Sequence, residues 1–330
     1  MAILATERVL TLDYWKFAYD LVEGDVVFDR LGQPVTIKLI QQYRAQKCYE
    51  VQLMDGLTVA GDEHLHLPLE NKKYRNRANE YVGTRQFRRP LRSTSVEQLA
   101  SNPLTKDRNR FEYSVPTAGS LQLPHKDLPV PPFVFGFWFF NHRKDGMVTT
   151  MPDTHDTVLE KFKDAGYSLT EKWHLVNNRN TYVVNPSIKA HLLPDTPTSI
   201  PNNYLLSSAE QRLELLSGVM HAKRGLYNQK LNRFRFTSKN KTHVKQIQYL
   251  AESLGAKTAL HYREDLKEFN LFITTKHVLL GNQTPKPIKV RQHWRLITDV
   301  YEIKSQGCVH IETDGPDNSF LVGEGFIACS

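Results

Sequence analysis

The sequence predicts a two-domain protein in which an all-β domain, built from both ends of the chain, is interrupted by an α/β domain. Residues 1–69 and 288–330 consist of short apolar runs separated by turn residues, a pattern typical of strands. The stretch 123–287 shows one order of helix, strand, helix and terminal glycine twice. A repeated order of elements indicates an internal duplication.

The composition bounds the classes of function. The chain has 330 residues, of which 40% are hydrophobic and 24% charged, as in globular proteins large enough for two cores. No apolar run reaches membrane-spanning length and the N-terminus has no signal-peptide pattern, so we expect no membrane partner. The three cysteines fit neither a disulfide framework nor a zinc site, which favours the reducing cytoplasm. The net charge of +8 suits a polyanionic partner.

The N-terminal part, 1–69, is predicted to be a set of strands with tight turns. Asp55-Gly56 separates two apolar runs, and both residues tolerate the positive φ of a two-residue hairpin. We expect Leu21, Val26, Val27 and Val51 in its core. The predicted strands are Arg8–Leu12, Gly24–Phe28, Pro34–Gln42, Cys48–Met54 and Leu57–Ala60.

The stretch 70–122 is basic and poor in aliphatic residues, and we interpret it as a basic linker or DNA-recognition region. Aromatic residues such as Tyr74 and Phe87 lie between its cations, a composition suited to phosphate contacts with double-stranded DNA. The alternative is a solvated basic loop region. The candidate DNA-binding residues are Arg75, Arg77, Arg85, Arg88, Arg89 and Arg92.

Two helices are predicted to open the two copies of the central region. Phe133–Phe140 follows a proline-rich joint and is apolar all round, so a helix there must be buried. Ser208 and Gln211 form a capping box ahead of the second helix. Gly136 and Gly218 lie in the middle of these helices, where glycine is costly unless two backbones must approach closely.

These helices resemble the LAGLIDADG motif pair of homing endonucleases, in Phe135–Asn141 and Leu216–Lys223. The resemblance implies a pseudo-two-fold domain whose helices pack at their glycines. It also implies an acid five residues after each glycine that binds Mg²⁺ for DNA cleavage. Those positions hold Asn141 and Lys223 here, with His221 close by. An amide is a poor ligand for this hard cation and an ammonium repels it.

We therefore expect a degenerate endonuclease site that does not cleave DNA, with Mg²⁺ relevant only if cleavage persisted. DNA binding through the basic surface stays open. Asp145 is one further carboxylate that could reach the site. For Asn141 and His221, the alternative role is that of a polar helix end.

The two chain ends resemble the splicing motifs of inteins, into which LAGLIDADG domains are often inserted. Arg8–Trp15 and Asp20–Phe28 look like the opening motif, and Cys308–Ser330 looks like the closing one. The amino-acid sequence of these segments is most similar to that of inteins in phage packaging or helicase-type host proteins. The resemblance implies a Hint-type β horseshoe from 1–69 and 288–330 that excises itself and ligates its flanking exteins, without a cofactor. We expect a monomer, because the duplication supplies its own symmetry mate.

The resemblance also assigns the reacting positions. The first nucleophile, normally cysteine, falls at Ala2, and the cyclising asparagine falls at Ala328. Cys329 matches the downstream extein nucleophile. The closing motif has His310 where the family often has aspartate, and Asn318 where it often has histidine.

The second motif of the family is a T-x-x-H sequence whose histidine lies beside the upstream scissile amide. His64 matches that histidine, Gly61 replaces the threonine, and His66 is a competing candidate. A lone strand histidine is otherwise most often structural.

Neither end of the chain as written can react, because Ala2 has no nucleophile and Ala328 cannot form a succinimide. We interpret the chain as an unspliced precursor in which alanine replaces both reacting residues, with Met1, Cys329 and Ser330 as extein residues. A naturally inactive element is the competing interpretation.

Two other functions remain open from the sequence. One is a LAGLIDADG-type DNA endonuclease or DNA-binding protein whose β part only supports recognition. The other is an inert interaction module, which predicts chain ends far apart. The splicing interpretation requires residues 2–12 and 318–328 to be neighbours.

Overall fold

The computed structural model describes residues 2–71, 92–102, 105–106, 110–142, 146–175, 179–192, 197–222, 225–280 and 294–330. The chain divides into two compact units. The split unit contains Met1–Gln122 and Lys289–Ser330, so it includes both chain ends. The inserted unit is Leu123–Ile288. Among the described residues, no helix is both long enough and apolar enough to cross a membrane.

The split unit is mostly β. Its helical elements are a 3-10 turn, Ala18–Asp20, and α1, Val96–Ala100. Its strands before the insertion are β1 (Ala2–Leu4), β2 (Arg8–Leu10), β3 (Trp15–Phe17), β4 (Val26–Phe28), β5 (Pro34–Arg44), β6 (Cys48–Leu53), β7 (Thr58–Asp62), β8 (His66–Asn71), β9 (Arg92–Ser95), β10 (Thr105–Lys106), β11 (Arg110–Phe111) and β12 (Tyr113–Pro116).

The inserted unit mixes helices and strands. Its helices are α2 (Pro132–Asn141), α3 (His155–Asp164), α4 (Ile188–His191), α5 (Asn202–Leu205), α6 (Ala209–His221) and α7 (Lys241–Glu252). Its strands are β13 (Val148–Thr150), β14 (Ser168–Leu175), β15 (Arg179–Asn185), β16 (Gly225–Asn228), β17 (Arg233–Ser238), β18 (Lys257–Arg263) and β19 (Glu268–Thr274). The split unit then resumes with β20 (Trp294–Ile303), β21 (Gly307–Thr313), β22 (Phe320–Val322) and β23 (Ile327–Cys329).

The sheets of the split unit join the two ends of the chain. The larger sheet has the order β4-β5-β21-β1-β7-β6-β20-β12-β8-β9, so the N-terminal strand lies between the C-terminal β21 and β7. A second sheet, β23-β22-β2-β3, joins the ends again, with Val9 opposite Val322. The requirement that the first and last segments be neighbours is met, which argues against an inert module with distant ends.

The core of the split unit follows the alternation of the strands. Leu21, Val27 and Val51 are buried as predicted, whereas Val26 is half-buried. Val26 lies on β4, an edge strand paired only with β5, which leaves it less covered.

The described parts of 70–122 belong to the split unit and differ from the linker that composition indicated. Strands β9 and β12 extend its larger sheet. Val96, Leu99 and Val115 lie in its hydrophobic core. These three aliphatic residues anchor the described part of the stretch, a contribution that its average composition does not reveal.

The inserted unit repeats its architecture. The first copy runs α2, β13, α3, β14, β15 and forms the sheet β13-β15-β14. The second runs α6, β16, β17, α7, β18, β19 and forms the sheet β16-β17-β19-β18. In each copy a glycine with positive φ, Gly166 or Gly255, follows the second helix, as the predicted stop requires. The predicted capping box is present, with reciprocal bonds between Ser208 and Gln211.

Helices α2 and α6 meet at their glycines, as the sequence predicts. A Cβ built on Gly218 would lie 2.1 Å from the carbonyl oxygen of Phe133. A Cβ built on Gly136 would lie 2.4 Å from the carbonyl oxygen of Leu215. Each glycine therefore lies against the backbone of the other helix, which accounts for the burial of α2 on all sides.

This contact decides whether a glycine-to-alanine substitution stabilises or destabilises the protein. In a helix interior alanine normally gains about 1 kcal/mol over glycine. We expect Gly218→Ala instead to lower the free energy of unfolding by about 1–3 kcal/mol, because the added methyl overpacks against backbone atoms. The control is Gly307→Ala, whose Cβ would meet only the Cβ of Ala5, at 3.7 Å. Urea unfolding measures both, and a stabilised Gly218→Ala protein would contradict the helix contact.

Candidate functional site

One short segment of the split unit, Gly61–His66, contacts both ends of the chain. The Ala2 N–H donates to the Asp62 Oδ1 atom at 3.0 Å. The Ser330 N–H donates to the carbonyl oxygen of His66, also at 3.0 Å. The same segment thus binds the backbone of the first predicted reacting position and the backbone two residues after the second. We take this segment and the two ends as the candidate site.

The upstream half of the site is a buried carboxylate on a backbone amide. Ala2 is 0% exposed and Asp62 is 1% exposed. The second carboxylate oxygen of Asp62, Oδ2, accepts a hydrogen bond from the Tyr43 hydroxyl at 2.6 Å. Burial and the bond to Asp62 raise the pKa of Tyr43 above its usual value, so the phenol stays a neutral donor.

Gly61 occupies the threonine position of the resembled motif for a steric reason. Ile3 pairs with Gly61 across β1 and β7. A Cβ on Gly61 would lie 2.2 Å from the carbonyl oxygen of Ala2 and 2.9 Å from the Leu65 Cδ2 atom. A threonine at position 61 would therefore require a different path of the first strand. The close contact between β1 and β7 in this chain explains why glycine replaces the threonine of the motif.

The two candidate histidines lie just after Asp62. His64 is exposed, in the turn that joins β7 to β8. Its carbonyl oxygen accepts a hydrogen bond from the His66 Nδ1 atom at 2.6 Å, which places a proton on that nitrogen. The role of His64 at the upstream amide stays a prediction. In the part of the chain that the structure describes, the side chain bonded to that amide is Asp62.

His310 lies beside the first reacting position. It is directly opposite Ala2 in the β1–β21 pair. Directly opposed residues of antiparallel strands have Cβ atoms about 5 Å apart. The His310 Nε2 atom lies 3.0 Å from a carboxylate oxygen of Glu312.

Asn318 has a structural role in the turn before β22. Its φ is +48°, a left-handed conformation that asparagine tolerates better than most residues. Its Oδ1 atom accepts a hydrogen bond from the Thr313 N–H at 2.6 Å and thereby closes the turn. Assistance to cyclisation by Asn318 stays a prediction.

The downstream half of the site is a buried strand. Ala328 pairs with Leu321, and Cys329 is 0% exposed. Burial raises the pKa of the Cys329 thiol well above its usual value, and the charge of Glu7 acts in the same direction. Since the thiolate is the nucleophile, this thiol is held in its less reactive form.

Glu7 is a second carboxyl group of the site that the sequence analysis missed. Its Oε1 atom accepts a hydrogen bond from the Ala60 N–H at 2.9 Å. Burial, with a contribution from the charge of Glu50, raises the pKa of Glu7 to about 7, although the Ala60 bond lowers it. Glu7 therefore exchanges a proton near neutral pH, within electrostatic range of Cys329.

Nothing local to the sequence identifies Glu7, since an acid between two strands is usually a surface residue. Asp62 carried one signal: it is an acid that directly follows the apolar run Val59-Ala60-Gly61.

The helix ends of the inserted unit do not fit a Mg²⁺ site. Both amide atoms of Asn141 bind the backbone of Thr149: Oδ1 accepts from its N–H at 2.9 Å, and Nδ2 donates to its carbonyl at 2.7 Å. His221 is buried, its Nδ1 bonds the Ser217 carbonyl, and burial lowers its pKa. Across the described ranges, no group of three or more acidic, histidine or cysteine side chains is placed to hold a metal.

Several predicted residues lie outside the described residues. These are the second helix-end position, Lys223, the carboxylate Asp145, and the candidate DNA-binding residues Arg75, Arg77, Arg85, Arg88 and Arg89. For Arg92 the structure describes the backbone, in β9.

Comparison with known proteins gives one curated sequence relative. The chain is 25% identical over 214 residues to the replicative DNA helicase DnaB of Mycobacterium intracellulare. The match covers 62% of this chain and 34% of the relative, so the chain spans about a third of the length of the curated protein it matches. No protein-family profile matches the chain.

Comparison with solved structures finds similarity to inteins and to a DNA-bound protein, I-DmoI. The gp41-1 intein is 20% identical, with a TM-score of 0.20 over 22% of this chain and 54% of that one. The MchDnaB-1 intein is 22% identical, with a TM-score of 0.20 over 21% of this chain and 53% of that one. I-DmoI, in a complex with DNA and Mn, is 14% identical, with a TM-score of 0.32 over 44% of this chain and 89% of that one.

The raised pKa of Glu7 predicts a pH-dependent stability. Its folded pKa of about 7 exceeds the ordinary 4.5, so the folded state binds the proton more tightly, and stability falls as pH rises from about 4.5 through about 7. At about 1.4 kcal/mol per pKa unit the fall is about 3 kcal/mol. We expect Glu7→Gln to remove this fall in stability with pH. The glutamine keeps an oxygen that accepts the hydrogen bond from the Ala60 N–H.

Urea unfolding at pH 5 and pH 8 measures this difference, with Glu302→Gln, at an exposed position of β20, as the control. An unchanged pH dependence in Glu7→Gln would contradict the burial of this carboxyl.

Asn141 is predicted to serve the fold rather than a metal. Asn141→Asp removes the Nδ2 donor and sets a carboxylate against the Thr149 carbonyl, so we expect a loss of about 1–3 kcal/mol in the free energy of unfolding. Asn202→Asp, at an exposed position in α5, is the control. We expect Asn141→Asp to gain no Mg²⁺-dependent nicking of supercoiled plasmid. Stable folding together with new nicking would contradict the structural role.

Proposed function

We propose that this chain is an intein, a domain that excises itself from a host protein and ligates the flanking exteins, with an inserted unit that no longer cleaves DNA. The observation that carries the proposal is the segment Gly61–His66, which binds Ala2 through Asp62 and Ser330 through the His66 carbonyl. Splicing needs both junctions in one pocket. Holding reacting groups together turns a slow intermolecular attack into an intramolecular one.

In the proposed reaction, a thiol at position 2 attacks the carbonyl carbon of Met1, and the bond from that carbon to the nitrogen of residue 2 breaks. The thiol proton ends on that nitrogen, and a thioester forms. The thiol of Cys329 then attacks the thioester and takes over the acyl chain, releasing the first thiol. An asparagine at 328 cyclises to a succinimide, which breaks the bond to Cys329, and an acyl shift to the Cys329 nitrogen leaves a peptide bond. Acyl bonds of similar energy are exchanged, so no cofactor is required.

The position of each site residue suggests which step of the proposed reaction it assists. Asp62 lies on the upstream amide nitrogen, and His310 is opposite residue 2. Glu7, with a pKa raised to about 7 by burial, can exchange a proton close to Cys329. His64 and Asn318 keep the auxiliary roles that the family resemblance implies.

The chain as written represents the precursor before the first step. Ala2 and Ala328 supply the backbone of the two reacting positions without their side-chain groups. Both fit the buried strands that hold them. The rest of the site is consequently assembled while both reactions are blocked.

The inserted unit is proposed to be a relic endonuclease without Mg²⁺ chemistry. Both amide atoms of Asn141 are hydrogen-bonded to the backbone of Thr149, which supports the loss of the first metal-binding position. Binding of double-stranded DNA without cleavage is the remaining role, supported by the net charge of +8. The match to a replicative helicase supports a helicase-type host for the exteins. We propose a cytoplasmic monomer, since the duplication provides both halves of the α2–α6 contact.

The proposal predicts splicing once both reacting groups are present. Ala2→Cys with Ala328→Asn, placed between two reporter proteins, should yield ligated reporters and free intein under reducing conditions. The products are identified by gel and by intact mass. Ala2→Cys alone should give only thiol-induced cleavage upstream, and Ala328→Asn alone only cleavage downstream.

The double variant with Cys329→Ala is the matched control and should give no ligated product, because the acyl acceptor is missing. If the double variant neither ligates the reporters nor cleaves at either junction, the proposed function is wrong.

A further inference from the structure

The strongest unassigned feature of the split unit is a trio of groups: the buried amide of Ala2, the buried carboxylate of Asp62 and the hydroxyl of Tyr43, a residue that is 41% exposed. Ala2 begins a strand that lies inside the larger sheet. Its N–H nevertheless donates to a side chain, the Asp62 carboxylate, at 3.0 Å. The other carboxylate oxygen is held by the Tyr43 hydroxyl at 2.6 Å. A carboxylate that is 1% exposed has a large desolvation cost, so its two donors stabilise it and fix its orientation.

We propose that Asp62 is a catalytic residue of the first acyl shift, which binds and stabilises the leaving nitrogen of residue 2, and that Tyr43 positions Asp62. The inference rests on the splicing reaction proposed above and assigns a role to a residue that the motif resemblance leaves without one.

The chemistry of the leaving nitrogen explains why a carboxylate belongs there. When the thiol adds to the Met1 carbonyl carbon, the nitrogen lone pair is released from amide resonance and becomes basic. It then takes up the proton that the thiol lost, and the carbon–nitrogen bond breaks. Positive charge therefore develops on the nitrogen during the step. A preorganised acceptor in a water-poor site stabilises this charge more than it stabilises the neutral amide.

The geometry places Asp62 where this charge forms. Its Oδ1 atom already bonds the N–H in the precursor, so no rearrangement of the acceptor is needed at the moment of reaction. Tyr43 remains a neutral donor, because burial and the bond to Asp62 raise its pKa. It thereby keeps Oδ2 occupied and leaves Oδ1 aimed at the amide.

The neighbouring titratable groups do not replace this contact. Glu63 and Cys308 act on Tyr43 at longer range, and His310 lies opposite Ala2 but bonds Glu312. Asp62 alone, among the described side chains of the site, bonds the nitrogen of Ala2.

The test isolates the first step. The parent is the full chain with Ala2→Cys, an upstream reporter and Ala328 unchanged, so that only thioester formation occurs. Its rate is read as upstream cleavage by hydroxylamine, followed by gel and intact mass. Asp62→Asn keeps an oxygen acceptor of the same shape but removes the charge. Tyr43→Phe keeps the ring but removes the hydroxyl.

We expect Asp62→Asn to slow cleavage about 10²–10³-fold, as loss of one preorganised transition-state contact does in other sites. Tyr43→Phe should slow it less, because Asp62 remains but is held less firmly. The charge-matched control Asp164→Asn, at an exposed position of α3, should react at the parental rate. Asparagine cyclisation, measured in a separate Ala328→Asn parent, should be unchanged by Asp62→Asn, which a merely structural role would not allow.

The outcomes separate the two proposals. If the Ala2→Cys parent does not cleave, the splicing function itself fails and this assignment with it. If the parent cleaves and Asp62→Asn cleaves equally fast, the splicing function stands and the role of Asp62 is wrong. Equal slowing of upstream cleavage and downstream cyclisation would identify Asp62 as structural and would likewise overturn the assignment.

Discussion

The split unit depends on the pairing of a very short N-terminal strand with partners from distant parts of the chain. Strand β1 spans only Ala2–Leu4, yet it lies between β21 and β7 and is buried. A strand this short cannot order itself, because isolated strand pairs are at best marginally stable. Its position is imposed by the opposition of Ala2 to His310 and of Ile3 to Gly61. The C-terminal segment is therefore needed to complete the sheet that holds the first residue, and the meeting of the chain ends follows directly.

Burial at that meeting point suppresses charge and thereby restrains reactivity. The same desolvation raises the pKa of the Cys329 thiol and of the Glu7 carboxyl. The Asp62 carboxylate accepts a hydrogen bond on each of its oxygens, from the Ala2 N–H and from the Tyr43 hydroxyl. The proposed acyl exchange suits such a site, in which one carboxylate is firmly hydrogen-bonded and burial disfavours the charged forms of Cys329 and Glu7. Charge that forms on the nitrogen of residue 2 meets a fixed partner in Asp62, and the burial of both groups strengthens that interaction.

The sequence predicted the parts of this structure that local patterns encode. The capping box of Ser208 and Gln211 and the burial of Phe133–Phe140 follow from spacing along one helix. The approach of the two helices at Gly136 and Gly218 was indicated by a costly glycine in the middle of each helix, together with the family resemblance. It did not predict the bond from Ala2 to Asp62, because residues separated by 60 positions leave no shared period in the sequence. Strands β14, β15, β18 and β19 were also missed. These strands carry many charged and polar residues, so they lack the continuous apolar run that marks a strand in the sequence. Each is instead held by pairing with another strand of its own sheet.

The pairing of β12 with β20 shows where the inserted unit joins the split unit. These strands immediately flank the insertion in the split unit, and Pro116 of one lies opposite Trp294 of the other. The insertion therefore connects two neighbouring strands, and the entropy of closing such a connection grows only slowly with its length. The hydrophobic cluster around α2 and α6 contains only residues of the inserted unit, and the cluster around β1 and β23 only residues of the split unit. Within the described residues, each of these two clusters is therefore built from side chains of its own unit. Under the proposed splicing function, selection on the reaction acts on Asp62 in one core, whereas Asn141 in the other is held by its two bonds to the backbone of Thr149.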